Sequence, residues 1–322
     1  MKQAALHRKQ LSRHRKQVSH RQIFRQRRNL IYLAAAAIGS TAGILVGEKP
    51  SPLTPLLSAN FFNPKPMPVL VGQMIPESTQ PLQQFQLSLT KEVQEIQTRM
   101  IQQRLSFTAP LQFQGKIVNQ VNTSRKIIAL TFDDGPWKTT PQILEILRAN
   151  QISATFFMVG RHLQAYPQAA KQVVAEGHAV GNHTWSHRYG KYSPSAAAAE
   201  IQRTNDLLYQ VSGARTTLFR PPAGILNNGL ASYSQGQRGT VIMWSDDSQD
   251  WRSPPPQTIT NNVLKNAQPG GIVLLHDGGG DRSRTIAALP GIIRELKQQG
   301  YEFVTIPQLL EIKDQELQAK KG

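Results

Sequence analysis

From about residue 112 onward, short apolar runs alternate with longer stretches whose apolar positions recur every three to four residues. The runs are KIIALTF, ATFFMVG, HAVGNH, TTLFRP, TVIMWS, GIVLLHD and YEFVTI, all of strand length. Between them lie TPQILEILRANQ, YPQAAKQVVAEG, SAAAAEIQRTNDLLYQVSG, PQTITNNVLKNA and TIAALPGIIRELKQQG, which carry the helical period. Seven strand-length runs alternating with helical segments predict parallel strands with crossover helices, in a barrel or an open doubly wound sheet. No Gly-rich phosphate fingerprint follows the first run, which argues against a dinucleotide fold.

The pattern changes before residue 106. Phe85, Leu89, Val93, Ile96 and Met100 recur at helical spacing, which predicts an amphipathic helix over 82–105. Its apolar face is expected to pack on the following domain, because a coiled coil needs more heptads than this. Residues 48–81 hold eight of the 21 prolines and read as an extended linker. Residues 30–47, LIYLAAAAIGSTAGILVG, are eighteen residues without a charge, about the minimum for a transmembrane helix. Residues 1–29 carry ten Lys or Arg and no acid, more than half of the net charge of +17. A basic tail before an apolar span is the positive-inside pattern of a single-pass plasma-membrane protein, with the rest of the chain on the extracytoplasmic side. The alternative is secretion after signal cleavage, which the small residues of the span permit. Because the basicity is concentrated there, the charge does not argue for nucleic-acid binding, and nothing calls for an obligate protein partner.

The chain has no cysteine, so thiol catalysis, disulfides and cysteine-bound zinc are excluded, and any metal must rest on His and carboxylate. Polar chemistry recurs where the apolar runs end. Asp133 and Asp134 lie in TFDDGPW, His183 and His187 in NHTWSHRYG, Arg220 in FRPPAG. Asp247, Asp250 and Trp251 lie in SDDSQDW, and His276 with Asp277 in LLHDGGG. In a parallel barrel those strand ends meet on one face, where active sites are built. His183 and His187, four apart, would aim both rings the same way from one helical turn, as two metal ligands require. His178, ahead of its strand, reads as structural. Taken singly, the Asp-Gly-Pro stretch is an ordinary turn and the acidic segment an ordinary loop.

Taken in order, TFDDGP, HTWSH, RPPAG, DSQDW and LLHD resemble the five motifs of the polysaccharide deacetylase (NodB-homology) family of carbohydrate esterases, over roughly residues 115–312. The resemblance implies a catalytic domain over 106–322 folded as a distorted, incomplete (β/α)7 TIM-like barrel. It implies removal of N-acetyl groups from a glycan containing N-acetylglucosamine: peptidoglycan, a chitin-like oligomer or an exopolysaccharide. By the same resemblance, Asp134, His183 and His187 hold a divalent metal, zinc above others. Asp133 is the general base, held by Arg220, and His276 is the general acid. Asp250 orients His276, although Asp247 shares that motif and the sequence does not divide the role between them. Pro222, Ala223 and Trp251 border the sugar, with a backbone N–H near Ala223 facing the developing oxyanion. Many members carry an aromatic residue where this chain has Ala223, a departure that bears on substrate preference. A family member that binds glycan without turnover is the competing reading; against it, every residue of the implied machinery is present.

Overall fold

The computed structural model describes residues 80–320. The basic tail, the apolar run and nearly all of the predicted linker lie outside the described residues. Among those described, no helix is long and apolar enough to cross a membrane.

The described chain begins with helix α1 (Gln80–Arg104), close to the predicted bounds. Its apolar face does not pack as expected: Phe85, Leu89, Val93 and Ile96 are all exposed. Periodicity establishes the helix but does not say what covers it.

Eleven strands follow: β1 (Ser106–Phe107), β2 (Ile117–Val118), β3 (Ile127–Gly135), β4 (Thr155–Met158), β5 (Ala179–Asn182), β6 (Arg215–Thr216), β7 (Leu218–Phe219), β8 (Thr240–Ile242), β9 (Asp246–Asp247), β10 (Gly271–His276) and β11 (Glu302–Phe303). Eight helices accompany them: α2 (Thr140–Ala149), α3 (Gly160–Ala165), α4 (Pro167–Ala175), α5 (Pro194–Ser212), α6 (Leu230–Gly236), α7 (Pro256–Asn266), α8 (Ser283–Gln298) and α9 (Ile306–Ala319). Strands β1 and β6 form a small parallel pair. The main sheet runs β2-β8-β7-β5-β4-β3-β10-β9, with β11 also paired to β3, and all its pairings are parallel.

All seven sequence-predicted strands are present, but the hydrogen-bonded path has eight strands and two open edges, β2 and β9. The additional strands β1, β2 and β9 are two residues long, too short to carry a period of two. Within β3 the side chains alternate as a pleated strand requires. Ile128, Leu130 and Phe132 pack against α2, α4 and α8 on one face. Ile127 and Ala129 turn the other way, into a cluster with Val118, Leu218, Ile242, Ile272 and the α9 residues Ile306, Leu309 and Leu310. One cluster drawing on strands from across the sheet means that the sheet curls around it. Thr131 and Asp133 continue that inward row, so the hollow of the curl becomes polar at the C-terminal ends of the strands.

Candidate active site

Asp133 and Asp134 are neighbours, and in a regular strand their side chains would point to opposite faces. The register between β3 and β4 slips between Asp133 and Gly135, and Asp134 adopts a left-handed φ of 70°. This bulge breaks the alternation and lets both carboxylates line one cavity. His276 is the register partner of Asp133 on β10, which brings a third group to the same level.

Arg220 directly follows β7 and is fully buried. Its guanidinium donates to the Ile242 and Met243 carbonyls (both 2.9 Å), to Thr131 Oγ1 (2.7 Å) and to Asp133 Oδ1 (2.8 Å). Burial lowers the Arg220 pKa and the Asp133 carboxylate opposes that shift. A buried ion pair is tolerated when its polar groups are otherwise satisfied, and here each guanidinium nitrogen has a partner. Asp133 Oδ1 is committed to Arg220, while Oδ2 lies 3.7 Å from His183 Nε2.

His183 and His187 do not share a helical turn. They lie in the loop after β5, where Thr184 and His187 take φ of 68° and 54°. Positive φ at non-glycine residues is costly and persists only where surroundings enforce it. The enforcing contacts are explicit. Asn182 Oδ1 accepts from Thr184 N, and Thr184 Oγ1 accepts from His187 N. Glu200, on α5, accepts from Trp185 N (2.9 Å), Ser186 N (2.8 Å) and Ser186 Oγ (2.7 Å). The loop places the two imidazole centroids 4.9 Å apart.

The donor set suits a divalent cation. His183 Nδ1 lies 2.7 Å from the Arg220 carbonyl, which can only accept, so Nδ1 carries the hydrogen and Nε2 turns a lone pair to the cavity. Burial holds the His183 imidazole below its usual pKa, favouring the neutral ligand form. Burial by itself would raise the Asp134 carboxyl, but His187 and His183 outweigh it and hold it well below the usual carboxylate range. Asp134 Oδ1 is buried, has no satisfied hydrogen bond, and lies 3.0 Å from His187 Nε2. A carboxylate oxygen facing two imidazole nitrogens, with one ligand atom of each residue within 4.8 Å of the others, fits a divalent cation. Two nitrogens and an oxygen fit several first-row metals and do not single out zinc.

Across the cavity, His276 Nδ1 lies 2.7 Å from Asp250 Oδ1. Asp250 Oδ2 accepts from His276 N (2.9 Å) and Thr285 Oγ1 (2.8 Å). Burial alone would lower the His276 pKa, but the Asp250 hydrogen bond and charge, with Asp133 and Asp134 behind them, pull it up to about 8. Asp247 makes no hydrogen bond to His276; its Oδ1 accepts from Gln249 N and closes a local turn. The cavity, about 560 Å³, is lined by Asp133, Asp134, His183, His187, Asp247 and His276 and bordered by Ala223, Trp244 and Trp251. Trp251 stands 48% exposed at the mouth, Ala223 is exposed with φ of 52°, and Pro222 is buried behind it. A larger cleft, about 700 Å³, lies between β1, the end of α4 and the start of α9, with Glu176 as its single ionisable group. His178 is structural: it is buried and its Nδ1 accepts from Ala154 N.

Three contributors were not legible in the sequence. Glu200 clamps the histidine loop from a helix. The Arg220 carbonyl sets the His183 tautomer. Arg282, buried, lies with Nη2 4.0 Å from Asp134 Oδ2, at the end of a Gly run that wraps Asp134. A Cβ on Gly278 or Gly279 would come within 2.1 Å of the Asp134 carbonyl oxygen or 2.6 Å of its Oδ2. No local pattern marks Glu200 or Arg282, because each acts across a tertiary contact.

Comparison with known proteins bears on this arrangement. The family model described as polysaccharide deacetylase matches residues 120–237. A peptidoglycan-N-acetylglucosamine deacetylase of Bacillus cereus is 44% identical over 207 residues, 62% of this chain and 95% of that protein. The peptidoglycan-N-acetylmuramic acid deacetylase PdaC of Bacillus subtilis is 41% identical over 61% of this chain and 41% of its own length. Among solved structures, the Bc1960 peptidoglycan N-acetylglucosamine deacetylase in complex with 4-naphthalen-1-yl-N-oxidanyl-benzamide superposes with a TM-score of 0.58, at 35% identity over 62% of this chain and 94% of that one. With a relative of that identity matched along nearly its whole length, the chain belongs to the polysaccharide deacetylase family.

Proposed function

We propose that this protein is a membrane-anchored N-deacetylase of wall glycan, acting on N-acetylglucosamine units of peptidoglycan. One observation carries the reading: adjacent carboxylates in a single cavity have separate commitments, Asp133 to Arg220 and Asp134 to two imidazoles, with the Asp250-bound His276 facing them. The named activities of the relatives supply the glycan.

Asp134, His183 and His187 would hold the cation, zinc in our reading, which when bound polarises the acetyl carbonyl and lowers the pKa of its water to about 7. Asp133 takes the proton of the attacking water on Oδ2, because Arg220 occupies Oδ1 and keeps the carboxylate aimed. The backbone N–H of Ala223 donates to the acetyl oxygen as negative charge develops there. His276, with Nδ1 tied to Asp250, presents Nε2 to the sugar nitrogen and donates the proton that lets the amine leave. Its raised pKa keeps it protonated at neutral pH for that step. Trp251 and Pro222 border the sugar. The C–N bond breaks, acetate and a free glucosamine amine are released, and the proton taken by Asp133 balances the one given by His276.

The domain over 106–322 carries this chemistry. Residues 30–47 would anchor it with the basic tail in the cytoplasm and the catalytic domain outside, where the wall lies. Zinc-loaded full-length chain is expected to release acetate from N-acetylglucosamine oligomers and from peptidoglycan, and to lose that activity on chelation. Absence of acetate from every substrate, with zinc demonstrably bound, would refute the reading. Protease accessibility of the domain in intact cells, with the chain in the membrane fraction, tests the topology.

A further inference from the structure

At Ala223 the cavity has a side-chain-poor border, an exposed methyl group on a left-handed residue. On the rim beside His187 stands Tyr189. It lines the same cavity, is 58% exposed, and meets the His187 imidazole edge-on, with ring centroids 5.4 Å apart at 74°. Single exposed aromatics are ordinary on protein surfaces. This one differs because the segment carrying it is braced on both sides. Tyr192 N donates to the Asn228 carbonyl at 2.8 Å, and Tyr192 Oη donates to the Arg188 carbonyl at 2.9 Å. Gly229 lies so close that a Cβ there would come within 2.6 Å of the Tyr192 carbonyl oxygen. The fold therefore holds a large ring out into water at the mouth of the site, where desolvating its face on ligand binding is favourable.

We propose that Tyr189 is a specificity-determining residue: its ring is the platform on which a pyranose packs its apolar C–H face at the rim of the cavity, beside His187. The inference rests on the glycan reading above and deepens it. Trp251 is a second exposed aromatic of the same lining, so the preferred ligand is an oligomer with apolar faces for both rings. Packing on an aromatic ring adds to area burial, and its loss is expected to weaken binding about tenfold, equivalent to roughly 1.4 kcal/mol.

The test uses full-length chain carrying Asp133→Asn, which binds substrate without consuming it, and calorimetry with the tetramer of N-acetylglucosamine. Adding Tyr189→Ala is expected to raise the tetramer Kd about tenfold, while Tyr189→Phe leaves it within about twofold because the ring face is kept. Zinc affinity, titrated separately, is expected to be unchanged in both. In the Asp133 enzyme the loss on Tyr189→Ala should fall on KM rather than kcat. An unchanged Kd with Tyr189→Ala would overturn the inference. So would an equal loss with Tyr189→Phe, which would assign the effect to the hydroxyl. A parallel fall in zinc affinity would also overturn it, since Tyr189 would then act through His187. If the Asp133→Asn parent fails to bind the tetramer at all, the glycan reading fails first and takes this inference with it.

Discussion

Asp250→Asn offers the sharpest probe of the acid side of the site. Asp250 is fully enclosed and gives both oxygens to His276, Oδ1 to the ring and Oδ2 to the backbone, with Thr285 completing the set. Removing its charge leaves the burial of His276, which lowers the pKa, opposed only by Asp133 and Asp134. The pKa should therefore fall from about 8 toward or below the ordinary 6.5, a change worth roughly 2 kcal/mol in favour of the neutral ring. At pH 7 the protonated fraction of His276 would drop from about 90% to about 25% or less. At least a fourfold loss of kcat is expected from protonation alone (order of magnitude), and more from the untethered ring. The assay is a pH–rate profile of acetate release. The general acid must be protonated, so activity falls as pH rises through its pKa, and the alkaline limb should move down by more than one pH unit in the variant (approximate). The stability linkage has the same sign. A histidine whose folded pKa is raised adds stability fully below the unfolded value of 6.5, and that stability is lost as pH rises through about 8. Thermal unfolding of the wild type, followed from pH 6 to pH 9 (approximate range), should show this loss, and the variant should not. An alkaline limb that stays in place in Asp250→Asn would refute both the pairing and the assignment of the acid.

Other expectations follow from the same contacts. Asp134→Ala should abolish cation binding measured by equilibrium dialysis, whereas Asp133→Asn should retain the cation and lose turnover; an active Asn variant would remove Asp133 as base. Glu200→Ala frees the Trp185 and Ser186 backbone groups that hold the histidine loop and should weaken cation affinity about 10- to 100-fold, with partial recovery in Glu200→Gln. Arg220→Met leaves the Asp133 carboxylate buried and unpaired and should cost about 3–5 kcal/mol in urea unfolding, much of it recovered when Asp133→Asn is added.

The sequence by itself determined the repeating architecture and named the strand-end aspartates and histidines that line the cavity. Parallel strands covered on both faces must be continuous apolar runs, and helices of this length must show their period, so both are legible locally. The five motifs fall where those runs end, and parallel connectivity sends such ends to one face. What the tertiary structure decided is how the groups meet. Whether Asp133 and Asp134 share a cavity depends on a bulge, and its left-handed residue is an aspartate that nothing in the sequence marks. The histidine pair suggested a helical turn, yet those residues lie in a strained loop clamped from α5, because contacts with Glu200 and Asn182 outweigh local preference. The choice between Asp247 and Asp250 is a matter of angstroms at His276, which spacing does not encode. Short-range pattern specifies elements. Long-range hydrogen bonds between buried polar groups specify the site, since each must find a partner that chain order does not reveal.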